Sequence, residues 1–132
     1  MIAGFSASLS GLLAQTRRLA VSADNIANMQ SRGFRKNGPA VQPGAYIPKR
    51  VQDVTTAGGG VRAEVRPVAP PSVAVYAPSD PNADADGVAA LLNVSLAGEL
   101  VIQIQAQRAY EANAAALRTQ DELTDSLLDI KS

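Results

Sequence analysis

Apolar residues recur in alternating steps of three and four at both ends of this chain. Near the start the series is Ile2, Phe5, Leu9, Leu12, Thr16, Leu19, Ala23, Ile26; toward the other end it is Ile102, Ala106, Ala109, Asn113, Ala116, Gln120, Leu123, Leu127, Ile130. Such steps mark one face of an α-helix, and sustained over several heptads they describe a seam that needs a partner helix. The spacing predicts one helix over about residues 4–30 and a second from about Ser95 to about Ile130. The expected fold is mainly α: long terminal helices paired as an antiparallel coiled-coil-like hairpin, with a small irregular or β middle. The corresponding division is 1–33 for an N-terminal core helix, 34–92 for an extended, hairpin-bearing middle and 93–132 for a C-terminal core helix.

The middle is punctuated by proline at 39, 43, 48, 67, 70, 71, 78 and 81, and by Gly58-Gly59-Gly60, which reads as a flexible hairpin or loop tip. After that tip Val61 to Arg66 alternates apolar and charged residues, and Ser72 to Tyr76 is a second short strand. Flanking prolines predict edge strands rather than a wide sheet. On helix one Ser6, Ser10, Arg17, Arg18, Ser22 and Asn25 form the polar face, and Gly11 is a weak point worth up to about 1 kcal/mol against alanine. Ser95 suits the N-cap of helix two, with Glu99 in the favourable early turns. Leu96, Leu100, Val101, Ile102 and Ile104 then lie on several sides at once, more than one partner helix buries. Asn113 and Gln120 in the second seam either face solvent or fix register as buried amides.

Composition removes much chemistry. The 132 residues include no cysteine and no histidine, so disulfides, thiolate metal sites and the commonest general base are excluded. Serines abound on helix one with no base to activate them, and acid pairs such as Asp84 and Asp86 lack a pocket, so no catalytic residue is assigned. The run Asp80 to Gly87 imitates a calcium loop but has Asn93 where the bidentate glutamate belongs; it reads as a turn leading into helix two, and no metal or cofactor is expected. Net charge is zero, yet residues 1–66 carry nine Lys/Arg against three Asp/Glu and residues 67–132 the reverse. The halves, +6 and −6, are either scattered solvated charges or complementary surfaces. Nothing concentrates base and aromatic residues as nucleic-acid binding requires, and no small-molecule substrate is expected. No apolar run reaches the roughly 18 residues of a membrane span, and the start lacks the basic leader of a signal peptide.

Two stretches carry a family pattern. Ser22 to Lys36, with Asn25, Ala27, Asn28, Gly33 and Phe34, resembles the signature A-x-N-[LI]-A-N-x-x-T-x-G-[YF]-[KR] of bacterial flagellar rod and hook proteins. Asn93 to Asn113, with Glu99, Gln107 and Arg108, resembles the C-terminal signature N-V-D-x-x-x-E-[FM]-x-x-x-I-x-x-Q-R-A-[YF]-x-x-N of the same proteins. The short middle, with Val75-Tyr76-Ala77-Pro78 before the aspartate run, is similar to that of the short proximal rod proteins, although the stretch before Phe34 is shorter and lacks their Thr-Pro. The resemblance implies a structural subunit that self-assembles helically into the axial drive shaft. It would be exported uncleaved to the periplasm-spanning rod of the basal body. Expected partners are other rod subunits and neighbouring axial, MS-ring and export-gate proteins. The expected subunit interface comprises Phe5, Leu9, Leu12, Leu19, Ile26, Leu100, Ile102, Ile104, Tyr110, Asn113, Leu123 and Leu127. A helical adaptor or export-chaperone-like module is the competing role, distinguished by closed rather than open association.

Overall fold

The computed structural model describes residues 2–31 and 45–131. Helix α1 spans Ile2–Asn28 and helix α2 spans Leu96–Lys131. Four strands lie between them: β1 (Lys49–Thr55), β2 (Val61–Pro67), β3 (Ser72–Tyr76) and β4 (Val88–Leu92). They form two separate antiparallel ribbons, β1–β2 and β3–β4, in keeping with the proline-bounded sequence. The aspartate run does not lead into α2 as expected. It folds as a loop in which Asp80 Oδ1 accepts from the amide of Asn82 and Asp84 Oδ1 from those of Asp86 and Val88, and it feeds β4. Among the described residues no group of three acids comes together to hold a metal.

The two helices lie antiparallel. Gly4 meets Gln120, Gly11 meets Asn113, and Asn25 is hydrogen-bonded to Glu99, so partners fall along α2 as they rise along α1. On α2 the seam is the expected one through its first two-thirds: Ala106 is fully buried and Ile102, Ala109, Asn113 and Gln120 are half-buried. Ala116 and everything from Asp121 to Ile130 is exposed.

On α1 the seam is displaced. The inward positions are Gly4, Ser8, Gly11, Gln15, Ser22 and Asn25, whereas Phe5 and Leu9 are exposed and Leu12, Leu19 and Ile26 only half-buried. Gly4, Gly11 and Asn25 each precede an expected seam residue by one, a rotation of roughly 100° about the helix axis. Residues expected to face solvent, Ser22 and Asn25, are the most deeply buried polar groups of the helix, at 1% and 2% exposure. The cause is close approach. A Cβ on Gly11 would stand 2.6–2.9 Å from the Asn113 amide atoms, so the helices meet at a distance that only a small-residue stripe permits. Gly11 is therefore a contact and not merely a weak point.

The β1–β2 ribbon lies along α1 and is tied to it at tip, middle and base. At the tip the Val61 amide donates to Ser10 Oγ (3.0 Å), which itself donates to the Ala7 carbonyl (2.7 Å). Gly60, with φ +91°, packs so close that a Cβ would collide with Ser10 Oγ. Gly60 is thus docked on α1, while Gly58 and Gly59 at the tip stand in open space. In the middle Arg18 and Asp53 form an ion pair (2.6 Å), and at the base Asn25 bonds the Lys49 backbone.

Replacing Gly11 by alanine would raise helix propensity by about 1 kcal/mol, but the Asn113 contact opposes it. Gly11→Ala is expected to lower the melting temperature, and Asn113→Ala, introduced in the same chain, to recover most of the loss. Thermal unfolding of the four members of the cycle measures the coupling, expected at roughly 1 kcal/mol or more.

Candidate functional site

Three parts of the chain converge on the Asn25 side chain. Its Nδ2 donates to Glu99 Oε1 and to the Lys49 carbonyl, both at 2.7 Å. Its Oδ1 accepts from Tyr46 Oη (2.8 Å) and from the Lys49 amide (3.0 Å). One amide thus uses both donors and both lone pairs. Glu99 is 9% exposed, and the carbonyl of the same residue accepts from Ser22 Oγ (3.2 Å). A carboxylate this deep without a partner would cost several kcal/mol, and the amide supplies one without adding a charge. Glu99 stands in the first turn of α2, as expected, and also fastens α2 to α1. Burial, then the nearby acids Asp24 and Glu99, push the Tyr46 hydroxyl above the ordinary tyrosine value. It stays a donor to Asn25, and its share of stability is lost only as pH rises above the value of about 10 at which a free tyrosine ionises.

The other signature residues divide by role. Asn93 donates from Nδ2 to the Pro70 carbonyl and from its backbone to that of Pro71, closing the β3–β4 ribbon just before α2. Ser95 Oγ accepts from the Gly98 amide (3.3 Å), capping α2 as expected. Asn28 Nδ2 reaches back to the Asp24 carbonyl and its Oδ1 accepts from Ser31, finishing the last turn of α1. Ala27 is exposed, and Gln107 and Arg108 are exposed and, among the described residues, bond to Glu111 of the next turn. Gly33 and Phe34 lie outside the described residues.

The residues expected at a subunit interface are not drawn into one place by the monomer. Phe5, Leu9 and Leu13 form an open stripe on α1, Phe5 being 54% and Leu13 64% exposed. Leu100, Val101 and Ile104 lie open on the side of α2 turned away from α1, and Tyr110, Leu123 and Leu127 are open as well. Only Ile102 and Asn113 of the expected set on α2 face inward in part. Sequence reasoning missed Tyr46, Lys49 and Ser22 as members of the joint. Ser22 and Asn25 share the inner face of α1 one turn apart, a signal hidden because both looked like solvent-facing polar residues.

The amide–carboxylate pair can be tested by exchange. Asn25→Asp sets two carboxylates together and is expected to cost on the order of 2–4 kcal/mol in urea unfolding. Adding Glu99→Gln restores a donor opposite the new carboxylate and is expected to recover most of that loss, although Glu99→Gln alone destabilises.

Comparison with known proteins accords with this division of residues. The family model described as "Flagella basal body rod protein" matches residues 5–35, and that described as "Flagellar basal body rod FlgEFG protein C-terminal" matches residues 87–130. The chain is 41% identical over 120 residues to the flagellar basal-body rod protein FlgC of Yersinia enterocolitica, covering 86% of this chain and 85% of that one. It is 40% identical over 116 residues to FlgC of Escherichia coli O6:H1, covering 83% and 82%. With FlgC of Aquifex aeolicus identity is 34% over 119 residues, covering 88% and 86%. The buried joint Asn25–Glu99 unites the two matched segments, and the chain belongs to the FlgC family of flagellar basal-body rod proteins, structural subunits and not enzymes.

Proposed function

We propose that this chain builds the proximal part of the rod by stacking in a helical array, with its paired terminal helices as the packing unit and its open apolar faces as the contacts between subunits. The observation that carries this reading is the misplacement of hydrophobicity in the monomer. Small and polar residues close the helix pair, while Phe5, Leu9 and Leu13 on one helix and Leu100, Val101 and Ile104 on the other stay in water. Monomeric proteins seldom expose contiguous apolar surface of this kind; it belongs to an interface. The seven-residue steps of Gly4 and Gly11 against Gln120 and Asn113 support a coiled-coil-like pairing within each subunit. In this reading Leu12, Leu19 and Ile26 rim the α1 interface, and Tyr110, Leu123 and Leu127 extend that of α2.

The partners are further rod subunits and, at the ends of the rod, the neighbouring axial, MS-ring and export-gate proteins. The site is the periplasm-spanning basal body. No nucleic acid and no small-molecule substrate enters this function. Gln107 and Arg108, signature residues with only a local partner, are read as contacts to a neighbour.

Fold and assembly separate cleanly under this reading. Leu9→Asp and Leu13→Asp alter exposed positions and are expected to leave circular dichroism intact and stability within about 0.5 kcal/mol of the parent. The same substitutions are expected to abolish recovery of the chain in purified basal bodies and motility in soft agar. Normal motility with either aspartate would overturn the assignment of this face.

A further inference from the structure

The β1–β2 ribbon turns one face to α1 and leaves the other uncovered. Asp53 reaches Arg18 from the inner face, and side chains alternate along a strand, so Arg50, Gln52, Val54, Arg62, Glu64 and Arg66 belong to the outer one. Of the other described helices and strands only α1 packs on this ribbon. The register sets Arg50 directly opposite Arg66, with Gln52 and Glu64 as the next pair on that face. Glu64 Oε1 accepts from Arg62 (2.6 Å) and Oε2 from Arg66 (3.0 Å), whereas Arg50 is exposed and has no ion-pair partner among the described residues. The bonds from Arg66 and Arg62 hold the Glu64 carboxyl below the ordinary carboxylate range, so it remains charged near neutral pH. Three guanidiniums then share one carboxylate, a net +2, and the like charges set across the ribbon at Arg50 and Arg66 weaken it.

We propose that this outer face docks an acidic segment of a different protein, with one carboxylate seated between Arg50 and Arg66 and a second on Arg62, about 13 Å along the strand. Glu64 shows the chemistry the face accepts: one carboxylate whose two oxygens are taken by two guanidiniums. Arg50 repeats the donor without the acid. A phosphate chain would have to cross the Glu64 carboxylate, and a net +2 releases few counterions. A lipid surface finds no anchor, since the one apolar residue of the face, Val54, is half-buried. A second copy offers few open carboxylates. Asp80 and Asp84 hold their own turns, Asp53 and Glu111 are ion-paired, and Asp121 and Glu122 stand three and four residues from Arg118. The docking is independent of subunit stacking, because this face lies on the far side of the ribbon from α1.

Gln52, exposed in the middle of the outer face, is replaced in the full-length chain by the photoreactive residue benzoylphenylalanine, in motile cells that carry no other copy. Irradiation of the intact cells is expected to join the chain to a different protein, at a stretch bearing Asp or Glu. Arg50→Glu turns the opposed like charges into an opposite pair, so the melting temperature of the purified chain is expected to hold or rise. The adduct is nonetheless expected to fall roughly tenfold or more, because like charges then meet across the contact. Changing the joined acids of the partner to lysine is expected to restore it. Arg17→Glu with Arg118→Glu, exposed cations on the helices, is the control for net charge and is expected to leave the yield unchanged. Absence of an adduct, an adduct to a second copy, to lipid or to a glycan, indifference to Arg50→Glu, no restoration by the partner's lysines, or equal loss in the control would each overturn the docking. Recovery of the chain in basal bodies is measured on the same strains. Recovery without the adduct overturns the docking and leaves the rod reading standing; the adduct without recovery supports the docking and overturns the rod reading.

Discussion

The side-chain amide of Asn25 is the point on which the rest of the molecule depends. It lies where α1, α2 and the base of the β1–β2 ribbon come within hydrogen-bonding distance of one another, and it satisfies all three at once. Asparagine is suited to this: it carries donors for the Glu99 carboxylate and the Lys49 carbonyl, and an acceptor for the Lys49 amide and the Tyr46 hydroxyl, on a short stem with no charge. Aspartate would lack the donors, and glutamine would carry its amide a methylene away from the positions that make these bonds. Two segments far apart in sequence therefore behave as one motif, because one holds the amide and the other the carboxylate.

Packing at this joint fixes where the hydrophobic surface goes. A helix has a limited circumference, and α1 gives one side to α2 and another to the ribbon, through Ser8, Gly11, Ser22 and Ser10, Arg18, Asn25 respectively. The large residues fall on what remains. Usually burial of large side chains supplies most of a fold's stability; here small and polar residues close the helix pair, and much of the large apolar area stays exposed. A single subunit built this way is only modestly stabilised by its own core.

Much of this was legible in the sequence. The three-and-four stepping located both helices to within two residues, and the alternation of Val61 to Arg66 and the Ser72 to Tyr76 run gave β2 and β3. Periodicity alone could not say which face of α1 meets its neighbour, because it ranks faces by hydrophobicity and not by closeness. Gly4 and Gly11, spaced a heptad apart, carried that information, but only when set against Asn113 and Gln120. β1 escaped notice since Lys49, Arg50, Gln52 and Asp53 leave only Val51 and Val54 as apolar residues; its register comes from β2 and its anchoring from Ser10 and Asn25. β4 was masked by the aspartate turns, which read as a helix approach. The acid and the amide of the joint were visible as signature residues, yet their contact spans 74 positions and has no local mark.

The three-point fastening of the β1–β2 ribbon has a mechanical consequence. Ser10, Arg18 and Asn25 are spaced by eight and seven residues, so the ribbon is attached over roughly 22 Å of α1. A bare helix twists and bends easily about its axis; one splinted along its length by a pleated pair of strands does not, because any rotation must shear all three attachments together. Load applied at one end of α1 is passed along the splint as well as through the helix backbone, and the stiffness of a shaft made of such units is set within each subunit before any two of them touch.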